Sequence, residues 1–222
     1  MSRTLYVAST NSGKLRDFNT AGSTHGIVIL PLPGLADIEA PPEDAPTFEG
    51  NACEKALYYC QFLPGEIVLA DDSGLEVNAL DGLPGVRSAR YAADAGFNTA
   101  DTVDANNNLF LLQELTGAAE AKRHARYRCA LAAARDGEVL LTVEGAADGT
   151  ILSGPRGTGG FGYDPLFYLP ALKRTMAEID DQTRWTLSHR GQAFRALLEK
   201  LQPALDEYLA LRNLDGRSPG HQ

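Results

Sequence analysis

At 222 residues, 44% hydrophobic and 22% charged, the chain is long enough to bury a core and too apolar for disorder. Its 20 Lys and Arg face 29 Asp and Glu, a formal net charge of −9. That excludes a broad basic face for polymeric nucleic acid or anionic lipid, and leaves room for a small polyanion held by a few placed cations.

The longest apolar run, Cys129 to Ala134, is far short of the ~18 residues of a membrane helix. Met1-Ser2-Arg3 leads into Thr4–Ala8, which reads as a first strand and not as a signal peptide. Cys53, Cys60 and Cys129 show no CxxC spacing and read as small buried hydrophobes, so the cytoplasm is the expected compartment.

In chain order, the strand Leu5–Ala8 is followed by a polar turn, Ser9 to Gly13, and a helix over Lys14 to Ala21. Ile27–Leu30 reads as a second strand. Residues 34–46, rich in Pro and acidic groups, read as a loop. Apolar or small residues at 48, 52, 56, 59 and 60 predict a helix with Thr47 as its N-cap. A third strand, Ile67–Ala70, is expected to end directly on Asp71-Asp72, and residues 81–99 to be loop-rich. A helix follows over about Val103 to Leu115. Two strands, Arg126–Ala134 and Val139–Val143, are joined by the turn Asp136-Gly137. After a Gly-rich stretch, 154–164, Ser188 opens a helix that Pro203 is expected to interrupt. This order predicts one elongated α/β domain over 1–212, with a central mixed sheet, flanking helices and a cleft between two lobes, and a frayed tail over 213–222.

Five segments offer chemistry. Ser9-Thr10-Asn11-Ser12-Gly13-Lys14, between strand and helix, supplies N–H groups, hydroxyls and a Lys suited to phosphate, although it lacks the Walker A spacing. Asp71-Asp72-Ser73-Gly74 presents paired carboxylates of the kind hard divalent cations take. Phe48, Asn51 and Lys55 fall within ~60° of one another on a helix at ~100° per residue. Residues 154–162 hold five glycines, with Phe161 and Tyr163 as flat surfaces for a base and Asp164 fixed in extended geometry before Pro165. At the last helix, Ser188 caps and Arg190 offers a planar fork to carbonyl or phosphate oxygens.

Together the segments STNSGK (9–14), TFEGNACEKA (47–56), LADDSGLEVNALDGLPGVRSARYA (69–92), GPRGTGGFGYDPLF (154–167), TMAE (175–178) and SHRGQAF (188–194) resemble the inosine/xanthosine triphosphate pyrophosphatases. The resemblance implies hydrolysis of ITP, dITP and XTP to the monophosphate and pyrophosphate with Mg²⁺, in a homodimer. It implies that Ser9 to Lys14 hold the triphosphate and that Lys55 neutralises phosphate charge. By the same resemblance, Asp72 is expected to accept the proton of the attacking water and contact Mg²⁺, with Asp71 supporting it and Ser73 touching substrate. Glu43 is expected as the second metal carboxylate. Phe161, Gly162, Tyr163 and Asp164 are expected to enclose base and ribose, and His189 and Arg190 to read the 6-oxo edge. Arg184 stands where the family usually has Lys and is expected to contact substrate in its place. Two rivals are weaker. A Maf-like pyrophosphatase carries Ser-Pro-Arg-Arg after the first strand, which is missing here. A nucleotide-binding module without turnover would lose the acid at 72 or the cation at 55.

Overall fold

The computed structural model describes residues 3–9, 12–23 and 26–214. Seven strands form one sheet. The chain begins with β1 (Arg3–Val7), α1 (Ser12–Ser23) and β2 (Ile27–Pro31), then α2 (Phe48–Cys60) and β3 (Val68–Val77). A short α3 (Tyr91–Asp94) and α4 (Val103–Glu114) precede the hairpin of β4 (His124–Arg135) and β5 (Glu138–Ile151). β6 (Phe167–Leu169), β7 (Arg174–Thr175), α5 (Asp181–Leu187) and α6 (His189–Leu214) complete it. The sheet order is β2-β1-β3-β4-β5-β6-β7, with β2, β1 and β3 parallel and the rest antiparallel.

Period-2 alternation along the strands sorts their side chains between two layers. Leu5, Val7, Leu69, Cys129, Leu131 and Val143 meet Phe18 of α1 and Phe194, Leu197 and Leu201 of α6. Val68, Ala70, Ala130 and Ala132 meet Phe48, Ala52 and Ala56 of α2 on the opposite face. Thr47 caps α2 as expected, its Oγ1 accepting the Gly50 N–H at 3.0 Å. A further cluster joins Leu75, Val77, Tyr127 and Ile151 to Leu111 and Leu115 of α4 and to Phe167 and Met176. β3 and β4 run through all three clusters, and β5 through the first and the last.

Three expectations change. β3 does not end at Asp71 but runs for ten residues, Val68 to Val77, paired throughout with β4. β5 extends past Val143 to Ile151. Its small residues weaken the strand signal, yet Gly145 is required there: a Cβ would strike the His189 carbonyl oxygen and the Ala193 nitrogen of α6. Finally, α6 passes through Pro203 without a break. It is held before the proline by Leu197 and Leu201 in the core, and after it by Tyr208, whose ring lies 4.2 Å from the Arg135 guanidinium. Packing on both sides offsets the lost N–H. The tail expected from 213 is helical through 214, and 215–222 lie outside the described residues.

Candidate active site

Asp71 and Asp72 sit at the middle of β3, and alternation sends them to opposite faces. Asp71 faces α1 and α6: Lys14 Nζ lies 2.7 Å from its Oδ2, Arg190 Nε lies 3.9 Å away, and Ser73 Oγ, two residues along, lies at 3.5 Å. Burial alone would raise this carboxyl, but Lys14, Arg190 and Lys55 outweigh it and bring it down to about 2. Asp72 faces α2, where Asn51 Nδ2 donates to Oδ2 at 2.9 Å and Lys55 Nζ lies 3.5 Å from Oδ1. Burial raises the Asp72 carboxyl, and Lys55 and Asn51 only partly reverse that. Two adjacent acids are thus tolerated in a buried strand because cations reach the carboxylates on both faces.

Lys55 is shared. Its Nζ also lies 3.3 Å from Glu43 Oε1, so one cation compensates two carboxylates. Burial would lower the Lys55 ammonium, but Asp72, Asp71 and Glu43 raise it and keep it charged. Among the described residues no three His, Cys, Asp or Glu side chains converge into a protein-only metal cage. Mg²⁺ seldom uses one, taking one or two carboxylates together with water and substrate phosphates. The under-compensated oxygens of Asp72 and Glu43 fit that donor set.

The opposite wall is the glycine-rich loop. Asp164, 8% exposed, accepts the Phe161 N–H at Oδ2 (3.2 Å) and the Tyr127 hydroxyl at Oδ1 (3.2 Å). Gly160 has φ +72°, and a Cβ there would strike the same carboxylate, so only glycine lets the turn close. From α4, Asp104 accepts the Gly162 N–H at 2.7 Å and Asn108 donates to the Gly162 carbonyl at 2.8 Å. One helix face thereby grips both sides of that residue. Tyr163 is buried and donates to the Ser88 carbonyl at 2.8 Å. Phe161 is exposed, its ring 4.8 Å from the Arg190 guanidinium.

The first turn of α6 closes the site. Ser188 Oγ accepts the Gly191 N–H at 3.1 Å, the cap expected there. Arg190 Nη2 donates to Ser73 Oγ at 2.9 Å, while Arg190 Nε and both His189 ring nitrogens are buried without a hydrogen-bond partner. The His189 ring stacks on Tyr127 with centroids 4.6 Å apart. Burial and the Arg190 charge hold the imidazole well below its usual range, hence neutral. A depressed pKa gives stability that is complete above the unfolded value and lost as pH falls. The unfolding free energy should therefore decline below pH ~6.5 by about 1.4 kcal/mol per pH unit. Urea titrations between pH 7.5 and 5 test this; an identical slope in His189→Gln would refute it.

A cavity of about 330 Å³ joins these parts, lined among others by Lys14, Glu43, Lys55, Asp71, Asp72 and Ser73 on one side. On the other it meets Phe161, Gly162, Tyr163, Asp164, His189 and Arg190. A second hollow, about 440 Å³, shares Lys14, Glu43, Lys55 and Asp71 and adds Ser9. Thr10 and Asn11 lie outside the described residues, and Ser12 and Gly13 open α1. Arg184 is not among the cavity residues. Its guanidinium bonds Asp181 and the Ile179 carbonyl, and its charge lowers Asp164 from behind the loop. Asp104, Asn108 and Tyr127 were not anticipated. The first two share a signal with Asn51 and Lys55, polar residues four apart on a helix; Tyr127, in a strand, carries none.

The model of the Ham1 family matches residues 5–200. The dITP/XTP pyrophosphatase of Acidobacterium capsulatum is 55% identical over 203 residues, covering 90% of this chain and 99% of its own. That of Desulforamulus reducens is 42% identical, covering 89% and 94%. The solved HAM1 protein of Coxiella burnetii superposes with a TM-score of 0.78 at 35% identity, over 90% of this chain and 99% of its own. The matched span takes in the end of β1, the β3 carboxylates, the glycine-rich loop and the first turn of α6, and with all of its cavity walls inside that span this chain belongs to the Ham1 family.

Proposed function

We infer that this chain hydrolyses ITP, dITP and XTP to the nucleoside monophosphate and pyrophosphate, removing them from the nucleotide pool. The observation that carries this is one cavity lined by cations and buried carboxylates and by aromatic rings beside nitrogens that lack a hydrogen-bond partner.

Lys14, Lys55 and the second hollow with Ser9 take the phosphates, whose shielding oxygens otherwise repel an attacking water. Asp72 accepts the proton of that water. Its raised pKa makes it a better acceptor than an ordinary Asp, and Asn51 fixes Oδ2 while Oδ1 lies beside Lys55. Asp71, held ionised by Lys14 and Arg190, keeps those cations in place. When bound by Asp72 and Glu43, Mg²⁺ supplies Lewis acidity toward phosphate oxygens and bound water.

The 6-oxo purine is read by Arg190 and His189, with Phe161 and Tyr163 along the base, Gly162 and Asp164 completing the wall, and Ser73 beside Arg190. Adenine presents an amino group where these donors need an acceptor, a penalty of roughly 1–3 kcal/mol per unpaired buried group. Arg184 enters as a cation behind Asp164. The same reading takes residues 1–212 as the working unit in a cytoplasmic homodimer; no helix among the described residues is long and apolar enough to cross a membrane.

With Mg²⁺, the purified protein should release pyrophosphate from ITP, XTP and dITP and little from GTP or ATP. Orthophosphate as the first product would place attack at the γ-phosphate and overturn the reading.

A further inference from the structure

We propose that Tyr127 is a positioning residue of this site, its hydroxyl orienting Asp164 and its ring seating His189, so that one β4 side chain sets both halves of the base wall. The proposal rests on the reading of residues 161–164 and 189–190 as that wall. Tyr127 lies within β4, opposite Leu75, with Phe167 4.4 Å away on one side and His189 4.6 Å away on the other. Its hydroxyl donates to Asp164 Oδ1 while Asp164 Oδ2 accepts the Phe161 N–H, so a rotation of the carboxylate would release the loop residue whose ring covers Arg190. The His189 ring makes no hydrogen bond and stacks on the Tyr127 ring. On the face of β4 where its neighbours are Ala125 and Cys129, this one position carries a phenol, and it lines the cavity.

The groups facing Asp164 are Tyr127 from β4, Arg190 from α6, Arg184 from α5 and the Phe161 N–H of its own loop. Burial pushes the Asp164 carboxyl up, and these partners draw it back. Tyr127→Phe deletes one donor to the charged carboxylate and leaves the ring, so the carboxyl rises further.

Tyr127→Phe should raise KM for ITP roughly fivefold, the fold-change of one net hydrogen bond, with kcat unchanged, since Asp72, Lys55 and Asn51 do not touch the phenol. The acid limb of kcat/KM should move to higher pH. Carboxyl-carbon NMR titration of substrate-free protein should show Asp164 titrating higher in the variant, at unchanged fold by circular dichroism. A coincident Asp164 titration, or an unshifted KM and acid limb, overturns the proposal, as does a fall in kcat at constant KM. Failure of the wild type to release pyrophosphate from ITP would instead count against the assigned activity, and the substrate-free titration would still decide the link between Tyr127 and Asp164.

Discussion

Asp72→Asn is expected to lower pyrophosphate release by about 10³-fold and, at the same time, to raise the unfolding temperature at pH 7. The amide keeps the shape and can accept from Asn51 Nδ2 through its oxygen, but it has no lone pair basic enough to take the proton of water. The stability gain follows from the direction of the Asp72 shift. Burial raises the native carboxyl above its unfolded value. A raised acid contributes stability below the unfolded value near 3.8 and loses it as pH rises through the native value, so at pH 7 the ionised group costs stability. A neutral amide removes that cost, and Lys55 retains Glu43. Calorimetry should show a gap that narrows as pH falls, because wild-type Asp72 then takes up its proton. A variant that melts lower than wild type at pH 7 would falsify the electrostatic argument; one that turns over at the wild-type rate would remove Asp72 from the chemistry.

The second large effect is structural. Gly145→Ala should destabilise the fold by about 3 kcal/mol. Gly145 pairs with Cys129 on β4, beneath the first turn of α6. The added methyl would meet the His189 carbonyl and the Ala193 nitrogen, backbone atoms that cannot rotate aside. Helix and sheet must part, and the turn that moves is the one carrying His189 and Arg190. The residual folded protein should accordingly show a raised KM as well as a lower denaturant midpoint. Gly154→Ala is the control: nothing lies within 4 Å of a Cβ there, so its midpoint should match wild type. Equal midpoints for the two variants would show that α6 can lift at little cost.

The elements that the sequence announces well are those whose signals are local. Thr47 and the apolar spacing after it specify α2, and Asp136-Gly137 specifies the β4–β5 turn; both residues have positive φ, 52° and 82°. The sequence signal for β3 stops short because Asp-Asp-Ser-Gly has the chemistry of a turn. What keeps it a strand is tertiary: Lys14 from α1, Asn51 and Lys55 from α2 and Arg190 from α6 arrive from sites 17 to 117 residues away. β5 was shortened because Gly145 and Gly149 carry little strand propensity, while close approach of α6 and Phe167 is what demands them. The motif residues of the site were legible as motifs. Their support was not: a phenol in a strand acquires its meaning only once the fold brings it to Asp164.

The three longest strands each contribute to the core clusters at both ends of the sheet, so among the described residues no linker separates halves that could swing. Access for nucleotide and exit for pyrophosphate therefore fall to the chain segments that rim the cavity, above all the glycine-rich loop and the stretch carrying Glu43. In hydrogen exchange, amides of β3, β4 and β5 should open only with global unfolding and change little on ligand binding. Protection gained with bound nucleotide should be confined to the rim. The enzyme would then work as a fixed trough with movable edges, its rate of product escape set by loop chemistry and not by a rotation of lobes.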